Sequence, residues 1–165
     1  MNDKRIKPID KRSSKSEIST FLKNAAVTKK VVAKDRAITG RLLFVMDATA
    51  SRQPSWERAC RIQGQMFSAA DEVGGLAIQL CYYRGLDEFD ATPWLVDTHR
   101  LQALMQRVSC LGGYTQIGRA LEHALQETRS KKVNAIVVVS DAMEERVDHL
   151  CQLAGQLGVL NTPIF

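Results

Sequence analysis

Asp47, Thr49 and Ser51 stand at alternate positions directly after five consecutive apolar residues, 42–46. One carboxylate and two hydroxyls in so short a segment are the kind of oxygen donors that a hard cation such as Mg²⁺ takes. A plainer reading also fits: an aspartate at a strand end whose neighbours cap the next helix. The segment alone leaves both readings open. Two further segments carry matching chemistry. Asp141 closes the apolar run VNAIVVVS, and Thr115 follows Gly112-Gly113-Tyr114 at the start of a helical pattern. If the strands ending at Asp47 and Asp141 are neighbours, the three loops converge where the strand order reverses. That switch point is where open α/β sheets bind ligands. Two carboxylates and three hydroxyls would there surround one Mg²⁺ ion, with room for waters and one ligand from outside.

The elements that must position these groups are legible from periodicity. Residues 42–46 form a short, wholly apolar run rich in branched side chains, as expected of a strand buried on both faces of a parallel sheet. Pro54 suits the opening turn of a helix that Trp56, Ala59, Cys60, Ile62, Met66, Phe67 and Ala70 carry to about Val73, before Gly74-Gly75. Residues 76–83 read as a second strand with Gln79 as a polar intrusion, 86–91 as an acidic turn, and 92–96 as a brief edge strand that tolerates Pro93. Asp97 is the expected N-cap of a helix bearing Leu101, Leu104, Met105 and Val108. Residues 117–130 predict a helix, 133–140 the most hydrophobic strand, 144–157 a further helix and 160–165 the start of another strand. Glu144 and Glu145 would rim the site or, more simply, occupy the first turn of that last helix. Strands alternating with helices predict an α/β fold: a Rossmann-like, open, mainly parallel sheet flanked by helices. Ending on a strand with no covering helix suggests a domain cut short at Phe165.

Composition narrows the class. The chain of 165 residues suits one domain. Its net charge of +5 is unevenly spread, with eleven Lys/Arg against four acids in 1–40 and twelve against fourteen in 41–165. We expect 1–40 to be a basic N-terminal extension with a short amphipathic helix over about 15–26, begun by the Ser14/Glu17 capping box, and 41–165 to be the folded domain. The basic arm leaves nucleic acid open as a partner but carries no binding signature. No apolar run is long enough to span a bilayer, and the charged N-terminus lacks a signal-peptide core, so a cytoplasmic protein with no membrane partner is expected. Cys60, Cys81, Cys110 and Cys151 are widely spaced, and Cys60, Cys81 and Cys151 sit among apolar neighbours as buried thiols do.

Asp47-Ala48-Thr49-Ala50-Ser51, Thr115 in GGYTQIGRAL and Ser140-Asp141 together resemble the three motifs of the von Willebrand factor type A (VWA) domain and its metal-ion-dependent adhesion site. Thr49 replaces the family's middle serine, and Ala142 stands where glycine is usual in the third motif. The resemblance covers roughly 41–165 and is nearest to small bacterial cytoplasmic VWA proteins of unassigned role. It implies Asp47, Thr49, Ser51, Thr115 and Asp141 as metal residues, Mg²⁺ or Mn²⁺ as cofactor, and a protein partner that offers Glu or Asp. It also implies a sixth strand and closing helices that the sequence lacks, and no catalysis. Two rivals stay open. One is a metal-free scaffold in which backbone amides and hydroxyls hold the aspartates. The other is a Mg²⁺-dependent phosphoryl-transfer enzyme with Asp47 as nucleophile, although Thr49 stands where such enzymes place a second acid. Nucleotide-binding glycine loops and a serine-hydrolase elbow are absent, and His99, His123 and His149 all fall within helical patterns.

Overall fold

The computed structural model describes residues 40–73 and 75–165. The expected helix over 15–26 and the rest of the basic arm up to residue 39 lie outside the described residues. In chain order the elements are β1 (Gly40–Asp47), a 3₁₀ turn (Ala50–Ser55), α1 (Trp56–Val73), β2 (Leu76–Arg84), β3 (Glu88–Ala91), α2 (Thr98–Met105), α3 (Ile117–Ser130), β4 (Ala135–Val139) and α4 (Val147–Val159). The sheet order is β3-β2-β1-β4. β1 runs parallel to both β2 and β4, and β3 is antiparallel at the edge. This is the open, mainly parallel α/β sheet that the alternation of elements predicts. Among the described residues, no helix is long and apolar enough to cross a membrane.

β1 is central, so both of its faces are covered and its run of apolar residues is explained. Leu43 and Val45 pack on one side with Cys81, Tyr83, Ile136 and the inner residues of α3 and α4. Phe44 and Met46 pack on the other with Phe67, Ile78, Leu80 and Leu101 of α1, β2 and α2. Phe44 meets Phe67 edge to face at 5.1 Å, the arrangement that ring quadrupoles favour. Asp97 caps α2 as expected, accepting the amides of His99 and Arg100. The segment after α4 lies alongside β4, with Ile136 bridged to Ile164 in parallel.

Three expectations are corrected. The acidic stretch 86–91 is not all turn. Gly85 takes a left-handed conformation (φ 61°), and the chain folds straight back into β3, where Glu88 pairs with Arg84 and Asp90 accepts from Tyr82. Cross-strand pairing thus recruits a sequence with poor strand propensity. The expected edge strand over 92–96 reduces to a single bridge between Leu95 and Ile78. Of the thiols expected to be buried, Cys81 is, Cys60 is half-buried and Cys151 is exposed, because Cys151 falls on the outer face of α4. Burial, with the nearby Glu127 and Asp90 carboxylates, pushes the Cys81 thiol up to about 12, which makes it a core residue rather than a nucleophile.

The polar intrusion at Gln79 has its partners. Its amide donates to the Thr92 carbonyl at 2.9 Å, and its oxygen lies 3.0 Å from His123 Nε2. Burial holds the His123 imidazole below its ordinary value of 6.5, with Glu127 opposing. A histidine depressed in the fold binds fewer protons than in the unfolded chain, so its stabilising effect is complete above the unfolded value and is lost as pH falls through the folded one. The urea midpoint should therefore fall between pH about 7.5 and about 5, and His123→Gln should remove part of that fall. An unchanged difference in the variant would show that other groups carry the acid sensitivity.

Candidate metal site

The carboxyl ends of β1, β2 and β4 meet three loops. Asp47 ends β1 and is 1 % exposed. Its Oδ1 accepts the Thr49 amide at 2.8 Å, which turns the chain sharply out of the strand, and its Oδ2 accepts the Ser140 hydroxyl at 2.8 Å. That turn sets Thr49 Oγ1 and Ser51 Oγ 3.0 Å apart. Ser51 then donates to Asp141 Oδ1 at 3.3 Å. Four of the five residues singled out in the sequence, Asp47, Thr49, Ser51 and Asp141, thus belong to one hydrogen-bonded network.

Thr115 arrives on the loop between α2 and α3, which slots between the ends of β1 and β2. Leu111 donates to the Ala48 carbonyl at 3.0 Å and accepts from Gly85 at 3.4 Å, and Tyr114 donates to Gly85 at 3.2 Å. The Thr115 side chain is buried and reciprocally bonded to Glu144: its amide donates to Glu144 Oε2 and its Oγ1 accepts the Glu144 amide, each at 3.1 Å. Among the described residues no hydrogen bond joins it to the other four. Its hydroxyl proton and one lone pair stay uncommitted.

Of the two places expected for Glu144 and Glu145, the first turn of the last helix is not taken, whereas Glu144, bonded to Thr115, does rim these loops. α4 begins at Val147, not at 144, so both lie in the loop before it. Glu145 instead caps α3, its two oxygens accepting the Ile117 and Gly118 amides at 2.5 and 2.8 Å. Gln116, the N-cap of α3, makes no side-chain cap. A carboxylate from a distant loop thus satisfies amides that the local sequence leaves open, and it also favours the positive end of the helix dipole.

Two further residues belong to the site: Ser140, part of the third motif but not among the expected metal residues, and Tyr83, which carries no motif signal. Ser140 holds Asp47 and also lies 2.8 Å from the Ala142 carbonyl, and Tyr83 donates to Ser140 at 3.0 Å. Burial pushes the Tyr83 phenol well above its usual range; the bond to Ser140 opposes this and Asp47 adds to it. Tyr83 is therefore a donor at any ordinary pH. Register would have pointed to it: Asp47 and Tyr83 are directly paired across β1 and β2.

Chemically, the donors are two carboxylates and three hydroxyls. Among the described residues no group of three or more His, Cys, Asp and Glu is placed to hold a metal ion, and three of the five donors gathered at these loops are hydroxyls. Hard oxygen donors suit Mg²⁺ or Mn²⁺. Asp47 adds a physical reason. Its bonded partners among the described residues are one amide and one hydroxyl, both neutral, and a carboxylate so deeply buried is costly without a counter-charge.

A four-stranded, mostly parallel sheet with helices on both faces, and this loop cluster at its carboxyl end, define a VWA-like fold. Among solved structures the chain is similar to the SpRpn10 VWA domain, with a TM-score of 0.60 at 13% identity over 76% of this chain and 72% of that one. It is similar to proximal thread matrix protein 1 from the mussel byssus, with a TM-score of 0.61 at 19% identity over 93% of this chain and 42% of that one. The vWF domain of the type V pili tip protein Mfa5 from Porphyromonas gingivalis aligns with a TM-score of 0.50 at 17% identity, over 65% of this chain and 39% of that one. The chain therefore spans less than half the length of the last two. No known family profile and no curated protein sequence matches. The likeness is one of fold.

Proposed function

We propose that this chain is a protein-binding module in which Asp47, Thr49, Ser51, Thr115 and Asp141 hold a divalent cation, Mg²⁺ or Mn²⁺, that captures a Glu or Asp side chain of a partner protein. The observation that carries this reading is the buried Asp47 carboxylate, bonded only to neutral donors and linked through Thr49, Ser51 and Asp141 to the protein surface. Asp141 and Ser51 are exposed and form the open side, whereas Asp47 and Thr49 form the closed side. A dication there supplies the missing counter-charge and a strong electrostatic contact for an incoming carboxylate. Hydroxyl donors leave that charge only partly neutralised, so Thr49, Ser51 and Thr115 favour an anionic ligand from outside. The VWA-like fold supports the same reading by placing these loops where such sheets bind ligands.

The enzyme alternative is weaker on the same observation. Asp47 is 1 % exposed and each of its oxygens already accepts one bond from the interior, whereas an attacking carboxylate needs in-line access to a phosphoryl group. Calorimetric titration with Mg²⁺ and Mn²⁺ tests the proposal. The wild-type chain should give a binding heat, and Asp47→Ala and Asp47→Asn should give none. Wild type without heat, or an Asp47→Asn variant that binds as well as wild type, would reject it. Capture of a Glu- or Asp-bearing partner should then be lost on chelation.

A further inference from the structure

Tyr83, Asp47 and Ser140 form one polar row across the carboxyl end of the sheet. Asp47 faces Tyr83 in the β1–β2 register. Ser140 follows Val139, which faces Met46 across β1 and β4. Directly opposed residues on neighbouring strands share a face, and the rows below on this face are apolar: Val45, Cys81 and Val138, then Leu43 and Ile136 with Gln79. Tyr83 is fully buried among them, with its hydroxyl at the upper end on Ser140.

Proton counting gives this row a purpose. A serine hydroxyl has one proton and two lone pairs. Ser140 has two acceptors within reach of that one proton, Asp47 Oδ2 and the Ala142 carbonyl, both at 2.8 Å. Tyr83 fills a Ser140 lone pair at 3.0 Å, which stops Ser140 turning its lone pairs toward other donors and polarises its O–H. The polarised proton goes to the stronger acceptor, and a charge-assisted bond to a carboxylate is roughly twice as strong as one to a carbonyl. With the Thr49 amide on Oδ1, each oxygen of Asp47 then has one donor from the protein interior.

We infer that Tyr83 is a positioning residue for the cation site: acting through Ser140, it anchors Asp47 Oδ2 from inside and so fixes which lone pairs of that carboxylate face the ion and its waters. The inference rests on the metal reading above. A residue that only packs the core would not transmit its loss through Ser140, whereas this relay must.

The test is a double-mutant cycle read by Mn²⁺ titration, together with a spectroscopic signature. Tyr83→Phe should weaken Mn²⁺ binding about tenfold or more, within the range that groups supporting metal ligands show. Ser140→Ala should weaken it at least as much, and Tyr83→Phe added to Ser140→Ala should cost nothing further. Independent, additive losses, or a Tyr83→Phe variant that binds like wild type, would overturn the inference while leaving the metal reading intact. A wild-type chain that binds no Mn²⁺ overturns both. If Tyr83→Phe fails to fold, the tyrosine itself reports. In fluorotyrosine-labelled protein carrying Tyr82→Phe and Tyr114→Phe, Tyr83 is the one tyrosine left. Its fluorine resonance should move on saturation with diamagnetic Mg²⁺ and stay still in the Ser140→Ala background, and an unmoved resonance in the first protein would end the idea.

Discussion

Glu127→Ala is expected to lower the stability of the fold by about 3 kcal/mol, a fall in Tm on the order of 10 °C. Arg41 is the reason. It sits at the start of β1 with its side chain 8% exposed, and Glu127 Oε2 meets its guanidinium at 2.7 Å. The same oxygen accepts the Trp94 indole N–H at 2.7 Å. The guanidinium lies over the Trp94 ring, 3.7 Å from its centroid, and also bonds the Lys131 carbonyl. Removing the carboxylate leaves a buried cation without its partner and an indole N–H without an acceptor. Breaking a buried pair costs about 3–5 kcal/mol, and the lower end applies because the Glu127 side chain is 26% exposed. Glu127→Gln retains an acceptor oxygen and should cost visibly less. Thermal unfolding followed by circular dichroism would decide; a Glu127→Ala variant that melts with wild type would show the cluster to be incidental.

Gly113→Ala should disable both the loop and the cation site. A Cβ at Gly113 would lie 1.7 Å from the Gly85 carbonyl oxygen and 2.5 Å from its Cα. These are backbone atoms of a tight turn and cannot swing aside. The loop must back away, losing the Tyr114–Gly85 bond at 3.2 Å and the Leu111 bridge to the end of β1. Forcing such contacts costs about 1–3 kcal/mol or more. Thr115 would shift with the loop, so Mn²⁺ affinity should fall alongside stability. Gly112 is the internal control. Nothing lies within 4 Å of a Cβ there, and Gly112→Ala should be nearly neutral in both measurements. Equal behaviour of the two variants would contradict the close approach.

What the sequence made legible follows from range. β1, β2, β4 and α3 are each decided by their own side chains. Leu42 to Met46 fit a strand covered on both faces, and the helix over Ile117–Ser130 is bounded as periodicity predicts. Asp47, Thr49, Ser51 and Asp141 were also within reach, because strand ends and alternation place them. Failures fall where a distant partner decides. Glu88 and Asp90 make a poor strand until Arg84 and Tyr82 lie opposite them. Glu145 reads as the first turn of the nearest helix, but the amides it satisfies are 27 and 28 residues away. Arg41 gives no hint of burial, because Glu127 and Trp94 are far along the chain. Tyr83 looks like one more strand residue until register sets it against Asp47.

β3 also bears on how the molecule behaves in a crowd. Among the described residues it pairs with β2 alone, runs for four residues and carries Glu88 and Asp90, with Pro93 close behind. An incoming chain seeking to extend the sheet on that flank would find too few amides, two repelling carboxylates and a proline that cannot donate. The flank resists accretion by its own kind, and the domain can keep a β-rich centre without inviting fibrils from that side.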